Sequence, residues 1–147
     1  MAGTAASGDP AEIIRWGYEQ FNAGDWDAFL QILDAEVAFH ASPGIDAGGT
    51  YYGHAGTREF LDNFKAQWST FEFEVGRCDE VEPGVVLIEG RAHATSRSTG
   101  LSFDEPFVAV GTLRDGLVTQ HGTLFADNEI AEGPGWVGDE LRRLRWS

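Results

Sequence analysis

Three shortages bound what this 147-residue chain can be. Its single cysteine, Cys78, excludes an internal disulfide, and no histidine stands near it in sequence to form an activated thiol pair. Lysine and arginine together number 10 against 24 aspartates and glutamates, and the resulting net charge of −14 repels phosphate backbones and anionic lipid. Nucleic acid and membrane surfaces are therefore excluded as partners, and the acidity reads as a soluble, self-repelling surface. Long apolar runs are missing: stretches such as Val85 to Ile88 fall far short of the roughly 20 residues a membrane helix needs. The opening MAGTAASGD has neither the basic start nor the apolar centre of a signal peptide, so a cytoplasmic location is expected. The histidines lack HxH or HxxxH spacing, and neither a nucleotide-binding glycine loop nor a G-x-S-x-G turn is present. No metal and no cofactor is expected.

What is present divides into a polar leader (1–8), one domain (9–132) and a basic tail (133–147) in which Arg142, Arg143 and Arg145 cluster. The tail sequence ELRRLRW reads either as a helix docked on an acidic body, its own or a partner's, or as a frayed terminus. Asp9-Pro10-Ala11-Glu12 signals a helix start, and Ile14, Tyr18 and Phe21 recur at helical spacing up to Asn22-Ala23-Gly24. Asp25 caps a second helix, expected over 26–33, and Val37 to His40 reads as a short strand. After a glycine-rich loop, a third helix near 55–68 carries Phe60, Leu61, Phe64 and Trp68 on one stripe. Four strands follow, over 71–80, 85–96, 101–113 and 117–126, with turns at Glu82-Pro83-Gly84, Ser98-Thr99-Gly100 and Asp115-Gly116.

The stretch NAGDWDAFLQILDAEVAFHASPGIDAGGTYYGHAGTREFLDNF (22–64), together with the hairpin TLRDGLV (112–118), resembles the SnoaL-like branch of the nuclear transport factor 2-like superfamily, which includes ketosteroid isomerase and limonene epoxide hydrolase. The resemblance implies an α+β cone of the cystatin-like type, with three N-terminal helices packed on a curved, mainly antiparallel sheet that encloses a pocket. It also implies a homodimer packed through outer sheet faces, where Leu87, Val108 and Val110 supply apolar surface. Two known catalytic sets do not carry over. The isomerase's acids fall on Ala41 and Ala109, and the hydrolase's charged residues on Gly90, Ala92 and Leu124.

Alternation along the strands sorts the remaining candidates. A type I turn followed by a bulge at Gly116 pairs Ala109 with His121 and puts His121, Thr123, Phe125 and Asp127 on the same face as Glu105 and Phe107. His121 is the leading acid–base candidate, since imidazole exchanges protons near neutral pH, with Glu105 and Asp127 as carboxylate partners. His40 joins them as a catalytic candidate at the cavity mouth, although the overlay turns its ring away. Trp16, Tyr18, Phe39, Tyr51, Phe60, Phe64, Trp68, Ile88, Phe107, Thr123 and Phe125 are the substrate-binding candidates. His93 reads as a surface or interface histidine, and His54 as a solvated capping residue. Three functions remain open: a cofactor-free isomerase, cyclase or hydratase acting by proton transfer on a small apolar or polycyclic molecule; a non-catalytic binder of such molecules; and a dimerisation or accessory module.

Overall fold

A computed structural model describes residues 8–42 and 49–145. The glycine-rich segment, nearly all of the leader and the last two residues fall outside that description. Helix α1 (Pro10–Ala23) starts where its sequence requires: Asp9 accepts the Ala11 amide at 3.0 Å, and Pro10 occupies the first turn. Gly24, at φ 75°, ends it in the left-handed conformation that favours glycine. Asp25 caps α2 (Trp26–Gln31) through the Ala28 amide at 3.1 Å. That helix is shorter than expected, because Leu33 already opens strand β1 (Leu33–Ala41), which is correspondingly longer. A brief β2 (Gly49–Tyr52) leads into α3 (Gly53–Gln67). Trp68, expected to close that helix, instead begins β3 (Trp68–Glu82). Strands β4 (Val85–Ser96), β5 (Ser102–Arg114) and β6 (Leu117–Phe125) complete one sheet in the order β2-β1-β6-β5-β4-β3.

The sheet is mainly antiparallel, as expected, with one parallel pair. β1 lies parallel to β6, with Phe39 opposite His121, while every other neighbouring pair is antiparallel. The β5–β6 register also differs from expectation. Arg114 pairs with Leu117 across a two-residue turn in which Asp115 and Gly116 both have positive φ, 55° and 78°. One irregularity between Thr112 and Leu113 then sets Gly111 opposite His121 and Ala109 opposite Thr123. The shift from the expected pairing is two residues, so the faces are preserved and His121 still projects to the concave side.

Helix α1 lies against that concave side. Ile13, Ile14, Tyr18 and Phe21 are buried there with Val86, Ile88, Phe107 and Ala109. Its last turn is tied down by Asn22, which donates from Nδ2 to the Phe73 carbonyl and accepts from the Phe73 amide, both at 2.9 Å. Because β3 is an edge strand, this side-chain amide stands in for a missing neighbouring strand.

The convex side is covered as well. A short α4 (Asp127–Glu132) and then α5 (Gly135–Arg143) fold back over it. Val137 and Leu141 form a second buried cluster with Leu87, Val108, Val110 and Leu124, so the apolar face expected to receive a second chain is covered by this chain's own tail. Two glycines permit the approach. A Cβ on Gly122 would come within 2.5 Å of Val137, and one on Gly138 would overlap the Gly133 carbonyl. Arg143 adds ion pairs to Glu82 and Glu140, both at 2.8 Å, which are exposed and secondary to the apolar burial. Truncation before Pro134 is expected to lower the melting temperature and to yield self-associated species in sedimentation at concentrations where the full chain shows one species. Unchanged sedimentation and melting would count against α5 as a cover.

Candidate active site

Between α1, α2, α3 and the concave sheet lies a cavity of about 50 Å³. Its wall is almost wholly apolar: Ile14, Phe21, Phe29, Ile32, Leu33, Phe39, Phe60, Phe64, Phe73, Val118 and Phe125. The polar side chains facing it are few, and the central ones are Tyr18 from α1 and His121 and Thr123 from β6. The Tyr18 hydroxyl lies 3.0 Å from His121 Nε2. Phe39 stacks on the imidazole at a centroid distance of 5.4 Å and an interplanar angle of 16°. These contacts fix the ring from two sides.

Burial dominates the electrostatics of the pair. Loss of water pulls the His121 pKa down to about 4, with a smaller contribution from the charge of His40. The same burial pushes the Tyr18 phenol far above its usual range, Cys78 adds to the effect, and the Thr123 hydroxyl beside it opposes it. Near neutral pH the site therefore holds a neutral imidazole and a neutral phenol. The remaining ring nitrogen, Nδ1 of His121, is buried without a hydrogen-bond partner among the described residues. Such an orphan costs about 1–3 kcal/mol, so this nitrogen adds nothing to stability as it stands.

The sequence candidates distribute unevenly around this centre. Tyr18, Phe39, Phe60, Phe64, Thr123 and Phe125 line the cavity with His121. Ile88 and Phe107 are fully packed behind the wall, while Trp16 and Tyr51 pack against the core from its edges. The expected carboxylate partners are not hydrogen-bonded to His121: Asp127 is exposed at the start of α4, and Glu105 lines a separate, outer cleft. Tyr18, counted only as a binding residue, takes the position assigned to them. His40 is among the residues lining the inner cavity, and its ring is bonded to Thr50 and Gln120 and stacked on Trp136 of α5 at 4.9 Å. His54 bonds the Leu33 carbonyl at 2.8 Å instead of being free in water. His93 sits on the outer face beside Glu74 at 2.9 Å.

The outer cleft, of about 370 Å³, shares Ser42 and Phe125 with the inner cavity and contains Trp68, Phe71, Phe103, Glu105 and Glu129. Its floor is pinned by Glu129, whose Oε1 accepts from the Phe125 amide at 2.6 Å and from the Ser42 hydroxyl at 2.5 Å. Neither Ser42 nor Glu129 was singled out in the sequence, where nothing links residues so far apart. Phe21 was legible as a core residue, and only the fold turns its ring, with those of Phe29 and Phe73, toward a void.

The comparisons with known proteins agree with this geometry. A profile of the SnoaL-like domain matches residues 14–121, well over half of the chain. The chain belongs to the SnoaL-like family. No curated protein matches it significantly. Among solved structures, TerC, crystallised with polyporic acid, is 26% identical with a TM-score of 0.74, covering 84% of this chain and 97% of its own. An NTF2-like protein of unknown function from Burkholderia pseudomallei is 20% identical with a TM-score of 0.74, covering 94% of this chain and 98% of that one. A candidate polyketide cyclase from Xanthomonas campestris pv. campestris is 24% identical with a TM-score of 0.70, over 82% of this chain and 92% of that one. The SnoaL-like domain thus has the fold its sequence implied, with a Tyr–His pair at its centre.

Two measurements follow from this geometry. A histidine whose folded pKa lies below its ordinary 6.5 loses stabilisation as the pH falls, because protons bind the unfolded chain preferentially. Stability is expected to be full above pH about 6.5 and to decline toward pH about 4, by up to about 3 kcal/mol for this group. His121→Asn should flatten that segment of the denaturation-versus-pH curve, and a ¹³C-edited titration of wild type should place the imidazole pKa well below 6. Separately, Ala126, beside the cleft floor, has φ 71° and ψ 153°, a conformation costly for any residue with a Cβ. Ala126→Gly is expected to stabilise by about 1 kcal/mol in urea titrations, strain relief exceeding the added unfolded-chain entropy.

Proposed function

We propose that this SnoaL-like domain is a cofactor-free enzyme of the cyclase or isomerase type that moves a proton on a small apolar or aromatic molecule bearing a carbonyl or hydroxyl oxygen. The observation that carries the reading is the Tyr18–His121 hydrogen bond inside an otherwise apolar cavity. Pockets of this composition bind through apolar surface and orient their ligand with a few convergent polar groups. When His121 Nε2–H donates to the phenol oxygen, the Tyr18 O–H turns to the ligand oxygen. It then stabilises the negative charge that develops there as the neighbouring carbon gives its proton to the unprotonated Nδ1 of His121, which holds it for return. The C–H electron pair becomes the enolate. Returning the proton to a different carbon gives an isomer, and attack of the enolate carbon on a second carbonyl closes a ring.

Size shapes the substrate. A volume of about 50 Å³ admits the reacting group but not a polycyclic body, which would rest in the outer cleft of about 370 Å³ across Phe125. TerC was crystallised with polyporic acid, so that compound opens the binding panel, and aryl ketones that carry hydrogen on the carbon beside the carbonyl serve the exchange test. One observation favours a second reading as a binding protein: an imidazole with a pKa of about 4 is unprotonated at neutral pH yet a weak acceptor for a carbon-bound proton.

The test needs no knowledge of the product. In deuterated water, wild type is expected to exchange hydrogen α to the carbonyl of a bound ligand, followed by NMR. Tyr18→Phe should slow that exchange at least about a hundredfold while changing Kd less than about tenfold. Tight binding with no exchange by wild type would replace the enzymatic reading with the binding one.

A further inference from the structure

Glu105 takes no part in the Tyr18–His121 pair, and its surroundings are unusual for a carboxylate. Half-buried on β5, it lines the outer cleft and has no hydrogen-bond or ion-pair partner among the described residues. Arg91, which feels its charge, sits on the opposite face of the sheet, paired with Asp104 at 2.6 Å. Half-buried carboxylates are ordinarily compensated by hydrogen bonds or counter-charges.

The rest of the cleft supplies aromatic rings in several planes. Trp68 stands at 66° to Phe71, with centroids 5.9 Å apart, and at 87° to Phe103 at 5.7 Å. Phe71 meets Phe125 at 78° and 6.1 Å. Aromatic faces are electron-rich, so a set of rings in different planes around one volume attracts a cation and disfavours an anion. Glu129 adds a second carboxylate to the lining, and the chain's net charge of −14 raises the local concentration of cations. A hard metal ion is not the occupant these groups fit, since no cluster of three or more metal-binding side chains exists among the described residues.

We propose that the outer cleft is a binding site for a small organic ammonium ion, its charge held between the Trp68 and Phe103 rings and the Glu105 carboxylate. A neutral apolar guest would leave Glu105 unpaired, and an anionic one would meet both carboxylates. The site uses different side chains from the inner pair and stands whether or not that pair transfers protons, but an ammonium ion there would compete with the body of an inner-cavity substrate for the volume across Phe125.

Choline and its uncharged isostere 3,3-dimethylbutan-1-ol separate charge recognition from shape. In isothermal titrations in 0.15 M NaCl, wild type is expected to bind choline at least about tenfold more tightly than the alcohol. Glu105→Gln should remove that preference, weakening choline at least about tenfold and leaving the alcohol and the melting temperature unchanged. Trp68→Phe should weaken choline in a protein that remains folded, whereas Tyr18→Phe should leave choline binding intact. Equal affinity for the two compounds, no choline binding in 0.15 M NaCl, or choline binding indifferent to Glu105→Gln would overturn the proposal.

Discussion

The docking of α1 across the concave sheet is the constraint from which the interior follows. One helix supplies the lid of the cavity, half of its polar pair and the clamp that closes an open strand edge. The clamp is the economical part: a single asparagine amide satisfies the amide and carbonyl of Phe73, which would otherwise face water or another chain. With Asn22 fixed, Tyr18 lies one helical turn back, at the spacing that keeps both residues over the sheet. The hydroxyl then reaches His121 without any loop having to close. Fold stability and site geometry are consequently hard to separate along α1.

The molecule keeps two electrostatic environments apart. The inner cavity is neutral, because burial suppresses both the charge that His121 could gain and the one Tyr18 could lose. The outer cleft carries carboxylates, and Phe125 stands between the two volumes. A cationic guest is thus suited to one end only. The convex face shows a similar division, apolar beneath α5 and ionic around Arg91, His93 and Asp104.

Much of this was legible in the sequence. Caps at Asp9 and Asp25, the stripe on α1 and the alternation in β4 each follow a local period, and local periods are what a sequence displays. The cone and its family followed from the resemblance of residues 22–64 and 112–118 to SnoaL-like sequences. Failures arose where distant segments meet. The hairpin register was misread by two residues: Asp115, not only Gly116, adopts a positive φ, which changes the loop length, and the irregularity between Thr112 and Leu113 adds a second offset. The partner of His121 was sought among carboxylates nearby on the sheet, whereas the actual partner comes from a helix 103 positions away. The tail left two alternatives because amphipathicity shows that a helix has a face to bury, not which surface receives it.

The parallel contact between β1 and β6 has a kinetic meaning. Phe39 and His121 are neighbours in the finished sheet, yet about two-thirds of the domain lies between them in sequence. Until β6 is in place, β1 has only the short β2 beside it, and the Phe39 side of the cavity faces no strand at all. Closing so long a loop is entropically slow, and on the ribosome it must wait for the last strand to emerge. The cavity is therefore a late event in the life of each chain. Any small molecule that favours the closed cavity would also bias the chain toward completing its sheet, making the ligand's abundance a determinant of how much folded protein accumulates.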